Sequence, residues 1–132
     1  MYSGWNRVLV VLATCLAASV SAGDKSAPPD QLQRYIVEFH DAALAAYTGG
    51  KLALPLQSSQ PERLEATSPA VTGARKLDVR SPQSRAYLDY LDRTHELFQV
   101  QAARLLGRTI EPGAVYRYAL NGMALDLTAS EA

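Results

Sequence analysis

The sequence predicts an α+β fold in which a sheet packs against one long helix. Three observations indicate it. Apolar and polar residues alternate over residues 34–41, apolar residues recur at helical spacing between residues 82 and 106, and alternation returns on both sides of Asn121-Gly122. A period of two is typical of a strand with one buried face, whereas spacings of three and four are typical of an amphipathic helix. The predicted order is strand, long loop, helix, strand, strand.

The first predicted strand is the segment Arg34-Tyr-Ile-Val-Glu-Phe-His-Asp41. Successive side chains of a strand point to opposite faces of the sheet, so the segment has two distinct faces. The more apolar face should pack on the helix and consists of Tyr35, Val37 and Phe39. The opposite face should stay outside the core and consists of Ile36, Glu38 and His40.

The helix is predicted from both its ends and its apolar stripe. Ser81 is a favourable N-cap, Pro82 suits the first helical position, and Gly107 suits the left-handed position after the last turn. Asp89 and Arg93 are four residues apart and should pair on the solvent side. The stripe expected to face the core comprises Tyr87, Leu91, Phe98, Ala102 and Leu105, broadened by Leu88, Tyr90, Leu97 and Leu106.

Two further strands should follow the helix. Val115–Leu120 and Met123–Leu127 both alternate, and Asn121-Gly122 between them is a strong signal for a two-residue hairpin. Thr128 and Glu131 then stand at the spacing of a capping box, which normally opens a helix. No helix can follow in the one remaining residue, so we expect the chain to be the front portion of a larger domain. The order of elements is the first two-thirds of a split β-α-β, ferredoxin-like unit.

Residues 42–82 show no sustained periodicity and contain many glycines and prolines, so they predict a long loop. Gly49-Gly50-Lys51 lacks the remaining residues of a phosphate-binding loop. Residues 74–80 could add a short edge strand.

The N-terminus has the layout of a secretory signal peptide over residues 1–22. Arg7 precedes the apolar run Val8–Leu16, and Ala22-Gly23 is a plausible cleavage site, which predicts a secreted or periplasmic protein. The alternative is an uncleaved membrane anchor; after cleavage we expect no membrane association. Removal of the signal also removes Cys15, the single cysteine of the chain. A polar arm of residues 23–33 should precede the domain.

The composition argues against several function classes. Thirteen basic and 13 acidic residues balance and form no basic stripe, so nucleic-acid binding has no electrostatic support. The two histidines, His40 and His95, lack an activated nucleophile or a second histidine at metal-ligand spacing. Asp92 and Glu96 beside His95 are most simply a solvated face. We therefore expect neither an enzyme nor a cofactor or metal site.

Two segments carry a resemblance to a known family. Tyr35-Ile-Val-Glu-Phe39 and, after the helix, residues 118–132 (YALNGMALDLTASEA) resemble the propeptides of secreted bacterial subtilisin-like serine proteases. The resemblance covers about residues 34–132 and implies a ferredoxin-like propeptide domain. That domain is incomplete here, because the second helix, the fourth strand and the protease domain lie outside this sequence.

The resemblance also implies a function. Such propeptides act as intramolecular chaperones and inhibitors of a subtilisin-like protease domain, to which their sheet binds in cis or in trans. On this basis the face formed by Ile36, Glu38 and His40 is the candidate protease contact. Tyr116 and Tyr118 could belong to an aromatic recognition surface or to the edge of the core. Two alternatives remain open: a stand-alone exported inhibitor or interaction module, and a non-functional gene fragment.

Overall fold

A computed structural model describes residues 31–53 and 61–132 of the protein. The α+β prediction is confirmed. The expected signal peptide, its cleavage site at Ala22-Gly23 and most of the polar arm lie outside the described residues. The elements are, in chain order, β1 (Gln33–Glu38), β2 (Gly50–Leu52), β3 (Glu62–Leu64), α1 (Pro69–Thr72), α2 (Pro82–Leu106), β4 (Ala114–Tyr116) and β5 (Gly122–Leu127).

The main sheet has three strands in the order β1-β5-β4. β5 pairs antiparallel with both neighbours, with Tyr35 opposite Leu125 and Val115 opposite Met123. β1 and β4 therefore run parallel to each other, with β5 inserted between them and α2 on the connection that joins them. A separate two-stranded antiparallel sheet is formed by β2 and β3.

The predicted ends of the long helix are confirmed. The Ser81 side chain accepts a hydrogen bond from the Ser84 amide at 3.1 Å, and Pro82 is the first helical residue. Gly107 follows the last turn with φ +66°, a left-handed conformation that glycine adopts without a steric penalty. Leu105 was predicted to face the core, but it is 86% exposed, and the sheet core takes Ala102 and Leu106 from this end of α2 instead.

Two apolar clusters pack against α2. The first, here called the loop core, is formed by Leu44, Tyr47, Leu64, Tyr87, Tyr90 and Leu91. The second, here called the sheet core, is formed by Ile110, Met123, Leu125 and Leu127, with the partly buried side chains of Tyr35, Val37, Phe39, Phe98, Ala102 and Leu106. The predicted inward face of β1 is therefore confirmed.

The prediction of a plain long loop over residues 42–82 is wrong for the part that the structure describes. This region contains β2, β3 and α1, and it supplies Leu44, Tyr47 and Leu64 to the loop core. The suggested strand at residues 74–80 is also wrong. There the Asp78 carboxylate accepts the Arg80 amide at 2.9 Å, and this local hydrogen bond favours a turn before α2.

The predicted two-residue hairpin at Asn121-Gly122 is wrong as well. β4 ends at Tyr116, and residues 117–121 separate it from β5. The chain leaves β4 early because the carbonyls of residues 117 and 118 accept the amides of Leu44 and Ala45 at 2.8 and 2.9 Å. Gly122 lies within β5, where a Cβ atom would be 2.6 Å from the Val37 carbonyl oxygen.

After β5 the chain forms a turn that uses half of the predicted capping box. The Thr128 amide donates to Glu131 Oε2 at 2.9 Å, whereas Thr128 Oγ1 contacts Ser130 Oγ at 3.0 Å. Within the described residues, no helix is both long and apolar enough to cross a membrane.

Candidate functional site

The residues predicted to contact a partner lie together on the side of β1 that faces away from α2. Ile36 is 60% exposed, and Glu38 is exposed on the same face two residues further along the strand. His40 is also exposed and lies just beyond the end of β1, where the chain bends. We call the side of the main sheet that faces away from α2 the outer face.

The outer face is shallow because small residues occupy its centre. Ile36 is opposite Ala124 on β5, and Ala124 is in turn opposite Ala114 on β4. Glu38 and Tyr116 similarly flank Gly122. A larger side chain on the central strand would separate these flanking residues. The flanking side chains cover this centre, since Ala124 is 3% exposed and Gly122 is buried, so a partner would contact the side chains of β1 and β4 rather than β5.

Two tyrosines left open by the sequence lie at the surface on the β4 side. Tyr116 is exposed at the end of β4, and Tyr118 is exposed in the connection to β5. Exposed tyrosines offer a rigid apolar ring together with a hydroxyl group, a combination enriched at protein interfaces. Their exposure, 38% for Tyr116 and 50% for Tyr118, makes both candidate members of an interaction surface.

An ion pair that the sequence analysis missed crosses the outer face. Arg34 Nε and Nη2 donate to the two carboxylate oxygens of Asp126, each at 2.9 Å. This bidentate hydrogen bonding lowers the pKa of Asp126 and raises that of Arg34. The two residues are 92 positions apart but directly opposite in the β1–β5 register, so only knowledge of strand pairing could have found the pair.

The opposite end of the outer face is more acidic in character. Glu38 takes part in none of the ion pairs formed among the described residues, which instead join Arg34, Arg93, Arg108 and Arg117 to acidic partners. The outer face thus combines a neutralised pair, a central isoleucine, and a glutamate beside a histidine.

A buried polar network fixes the chain where β1 ends. His95 is 2% exposed, and its Nε2 is 2.7 Å from Asn121 Oδ1. Asn121 Nδ2 donates to the Asp41 carbonyl at 2.9 Å, so Oδ1 must accept and His95 Nε2 must donate. Tyr90 then donates to the Asp41 carboxylate at 2.8 Å. His95 thus links α2 to the segment before β5 through buried hydrogen bonds.

The carboxylates near His95 do not converge with it. Asp92 pairs with Arg117, while Glu96 is exposed. Among the residues described, no group of three or more histidine, cysteine, aspartate or glutamate side chains could hold a metal ion. The predicted helical pair of Asp89 and Arg93 is also replaced, because Arg93 binds the Asp89 carbonyl and the carboxylate of Glu62.

An apolar groove of about 460 Å³ opens beside β1 on the α2 side of the sheet. Its lining includes Tyr35 and Val37 from β1, Leu105 and Leu106 from α2, and Leu127 from β5. The groove is lined mainly by residues of the sheet core.

No family model matches the chain, and neither the curated proteins nor the solved structures contain a significant match. A function for this protein must therefore be inferred from its own residues and geometry.

Proposed function

We propose that this chain is the propeptide region of an exported subtilisin-like serine protease and acts as an intramolecular chaperone and inhibitor of the protease domain. The observation that carries the proposal is the arrangement of the main sheet, with α2 packed on one side and the exposed side chains of Ile36, Glu38 and Tyr116 on the other. A sheet with one free face can bind a folded partner without first rearranging its own core.

The strand arrangement supports a ferredoxin-like fold of the propeptide type. The connection β1-α2-β4 joins two parallel strands, and β5 lies between them. This is the arrangement that a ferredoxin-like unit has after its first three strands. The sequence resemblance through Tyr35–Phe39 and residues 118–132 falls on β1 and on the segment that contains β5, so the matched segments become spatial neighbours.

The outer face is the proposed contact with the protease domain, through Ile36, Glu38 and His40, with Tyr116 and Tyr118 at its side. A surface that binds the native protease fold better than the unfolded chain shifts the folding equilibrium toward the native state. The same binding would hold the newly folded protease domain in a complex with this chain during export. The signal-peptide layout of residues 1–22 supports a secreted or periplasmic location.

The proposal is tested by refolding a purified bacterial subtilisin-like protease domain in the presence of this protein added in trans. The expected results are a higher yield of active protease and inhibition of the mature enzyme that increases with the concentration of the chain. Inhibition without any gain in refolding would contradict the chaperone role. The absence of both effects would reject the proposal for that protease.

The contact face is tested by replacing Glu38 and His40 together with alanine. Both side chains are exposed, so we expect the fold to be retained while protease binding weakens by about tenfold. The matched control replaces Arg85 and Asp89, two exposed residues of α2, and should leave binding unchanged. Equal affinities of the two double variants would reject the outer face as the contact.

A further inference from the structure

The segment that connects α1 to α2 is exposed over most of its length. Every residue from Ala70 to Lys76 is exposed. Residues 74–77 take part in none of the loop and turn hydrogen bonds that join main-chain groups of the described residues. Proteases bind and cut a main chain of this kind first, because it can enter their cleft without local unfolding.

Two basic side chains lie next to each other in this segment. Arg75 and Lys76 are both exposed, and neither takes part in the ion pairs formed among the described residues. A serine protease of the trypsin type selects such a residue, because its specificity pocket carries a carboxylate that pairs with an arginine or lysine side chain. The segment therefore combines an accessible main chain with the side chains that one class of protease recognises.

The other basic residues of the described chain are less accessible to a protease. Most lie within a strand or within α2, where the main chain is hydrogen-bonded. The three that lie in loops are held by local contacts: Arg80 by its amide bond to Asp78, Arg108 by Glu131 and Arg117 by Asp92. Cleavage after any of these residues requires a local opening of the fold first.

The exposed segment is anchored to the loop core at both ends. Before it, the amides of Thr67 and Ser68 donate to the Tyr47 carbonyl. After it, the Asp78 carbonyl accepts the Ser84 hydroxyl at 2.6 Å, and Leu77 packs against the loop core. Because Leu77 is held, the bond before Lys76 is more accessible than the bond after it.

We propose that the Arg75–Lys76 bond is the site at which an arginine- and lysine-specific serine protease cleaves the folded protein, and that the product is a two-chain complex. Hydrolysis adds one water molecule across the peptide bond, so that Arg75 ends in a new carboxylate and Lys76 begins with a new amino group. The first product carries β1, β2, β3 and α1, whereas the second carries α2, β4 and β5.

The two products should stay together because they share the main sheet and the loop core. β1 of the first product pairs with β5 of the second. The Tyr47 and Tyr87 rings, one from each product, stack with centroids 3.7 Å apart. The Asn121 side chain of the second product donates to the Asp41 carbonyl of the first at 2.9 Å. None of these contacts involves the cleaved segment.

Cleavage would make the assembly dependent on concentration. In the intact chain, the connecting segment keeps the two parts at an effective concentration on the order of millimolar, whereas after cleavage they can separate on dilution. Ile36 and Tyr116 of the outer face then belong to different chains. This inference goes beyond the proposed function and does not depend on it, since the cleavage site and the two-chain product follow from the segment and the loop core alone.

The first experiment is limited digestion of the purified protein with a small amount of trypsin, followed by intact mass measurement. The first cut within the described residues should separate Arg75 from Lys76. R75Q/K76Q should slow that first step at least about tenfold, because the remaining sites require local opening. R80Q/R85Q, which changes two neighbouring exposed basic residues, is the matched control and should keep the parent rate.

Single variants identify the bond. K76Q should still be cut after Arg75, whereas R75Q should lose that cut. Lys25 lies outside the described residues, and the mass of the first product separates any cleavage there from cleavage at Arg75. Thermal unfolding of every variant checks that the fold is retained.

The second experiment tests the two-chain product. After trypsin is inhibited, both products should elute together in size-exclusion chromatography at high concentration. The thermal midpoint of the cleaved protein should fall on dilution, because separation into two chains becomes more favourable, while that of the intact protein should stay constant.

Three results would overturn the proposal. The first is an initial cut at another bond within the described residues. The second is an R75Q/K76Q variant that is digested as fast as the parent. The third is a cleaved protein whose products separate or unfold even at high concentration.

Discussion

The loop core and the sheet core pack on the same helix but exclude solvent to different degrees. Tyr87, Tyr90 and Leu91, in the first half of α2, are all buried under the loop region. In the second half, Phe98 and Leu106 remain partly exposed against the sheet, and Leu105 projects into solvent. The loop core, which excludes more solvent from α2, is thus formed by the less regular part of the chain.

Main-chain hydrogen bonds explain how an irregular segment can pack this closely. The Tyr47 carbonyl accepts the amides of Thr67 and Ser68 at 3.1 and 2.9 Å, and the Tyr87 hydroxyl donates to the Ala42 carbonyl at 2.6 Å. The Tyr47 and Tyr87 rings stack with centroids 3.7 Å apart. Backbone groups satisfied in this way can be buried without a ladder or helix.

The largest expected effect is at Tyr87, which is fully buried in the loop core. Y87A should lower the free energy of unfolding by about 3–5 kcal/mol, since it removes a buried aromatic ring and leaves a cavity. Y87F keeps the ring and should cost about 1–2 kcal/mol through the unpaired Ala42 carbonyl. Urea denaturation measures both. If Y87A lowers the free energy of unfolding no more than Y87F does, the buried Tyr87 ring contributes little to the packing of the loop core.

The next effect concerns Asn121, whose side chain joins the two regions through His95 and the Asp41 carbonyl. N121A should lower the free energy of unfolding by about 2 kcal/mol, because it leaves two buried polar groups without partners. H95A should lose much of the same interaction. The N121A/H95A double variant should therefore cost clearly less than the sum of the two, and simple additivity would show that the network is not coupled.

The sheet core should respond more weakly to the loss of an aromatic ring. F98A should cost about 1.5 kcal/mol, roughly half the effect expected for a fully buried phenylalanine, because this side chain is only partly covered. Its control is L105A on the exposed side of the same helix, which should change stability by less than about 0.5 kcal/mol. A cost for F98A equal to that of Y87A would remove the difference between the two cores.

The smallest effect concerns the turn after β5. Hydrogen bonds from Arg108 and from the Thr128 amide lower the pKa of Glu131 from 4.5 to about 2. Since the folded pKa lies below the unfolded value, this carboxylate stabilises the fold above pH 4.5, and the contribution is lost as the pH falls through about 2. R108Q should raise the pKa of Glu131 toward its usual value. Carbon-detected NMR titration measures it, and an unchanged midpoint would exclude Arg108 as the main cause.

Local signals were sufficient for α2 and for β1. Ser81 marks the start of the helix through a hydrogen bond from the Ser84 amide, and Pro82 through its fixed φ. Gly107 marks the end through its left-handed conformation. The alternation of β1 separated its inward face from Ile36 and Glu38, so the exposed position of the candidate surface could also be predicted. The same kind of reasoning failed at Asn121, because a dipeptide typical of hairpins serves here as a buried link to His95 and Asp41.

The sequence by itself determined the α+β class, the ends of the long helix and the two faces of the first strand. These follow from periodicity and capping, which depend on residues close together along the chain. Only the tertiary structure decided the loop core, the Arg34–Asp126 pair and the buried link from Asn121 to His95 and Asp41. Each of these depends on contacts between distant segments, in which strand register and packing, rather than local preference, select the partner.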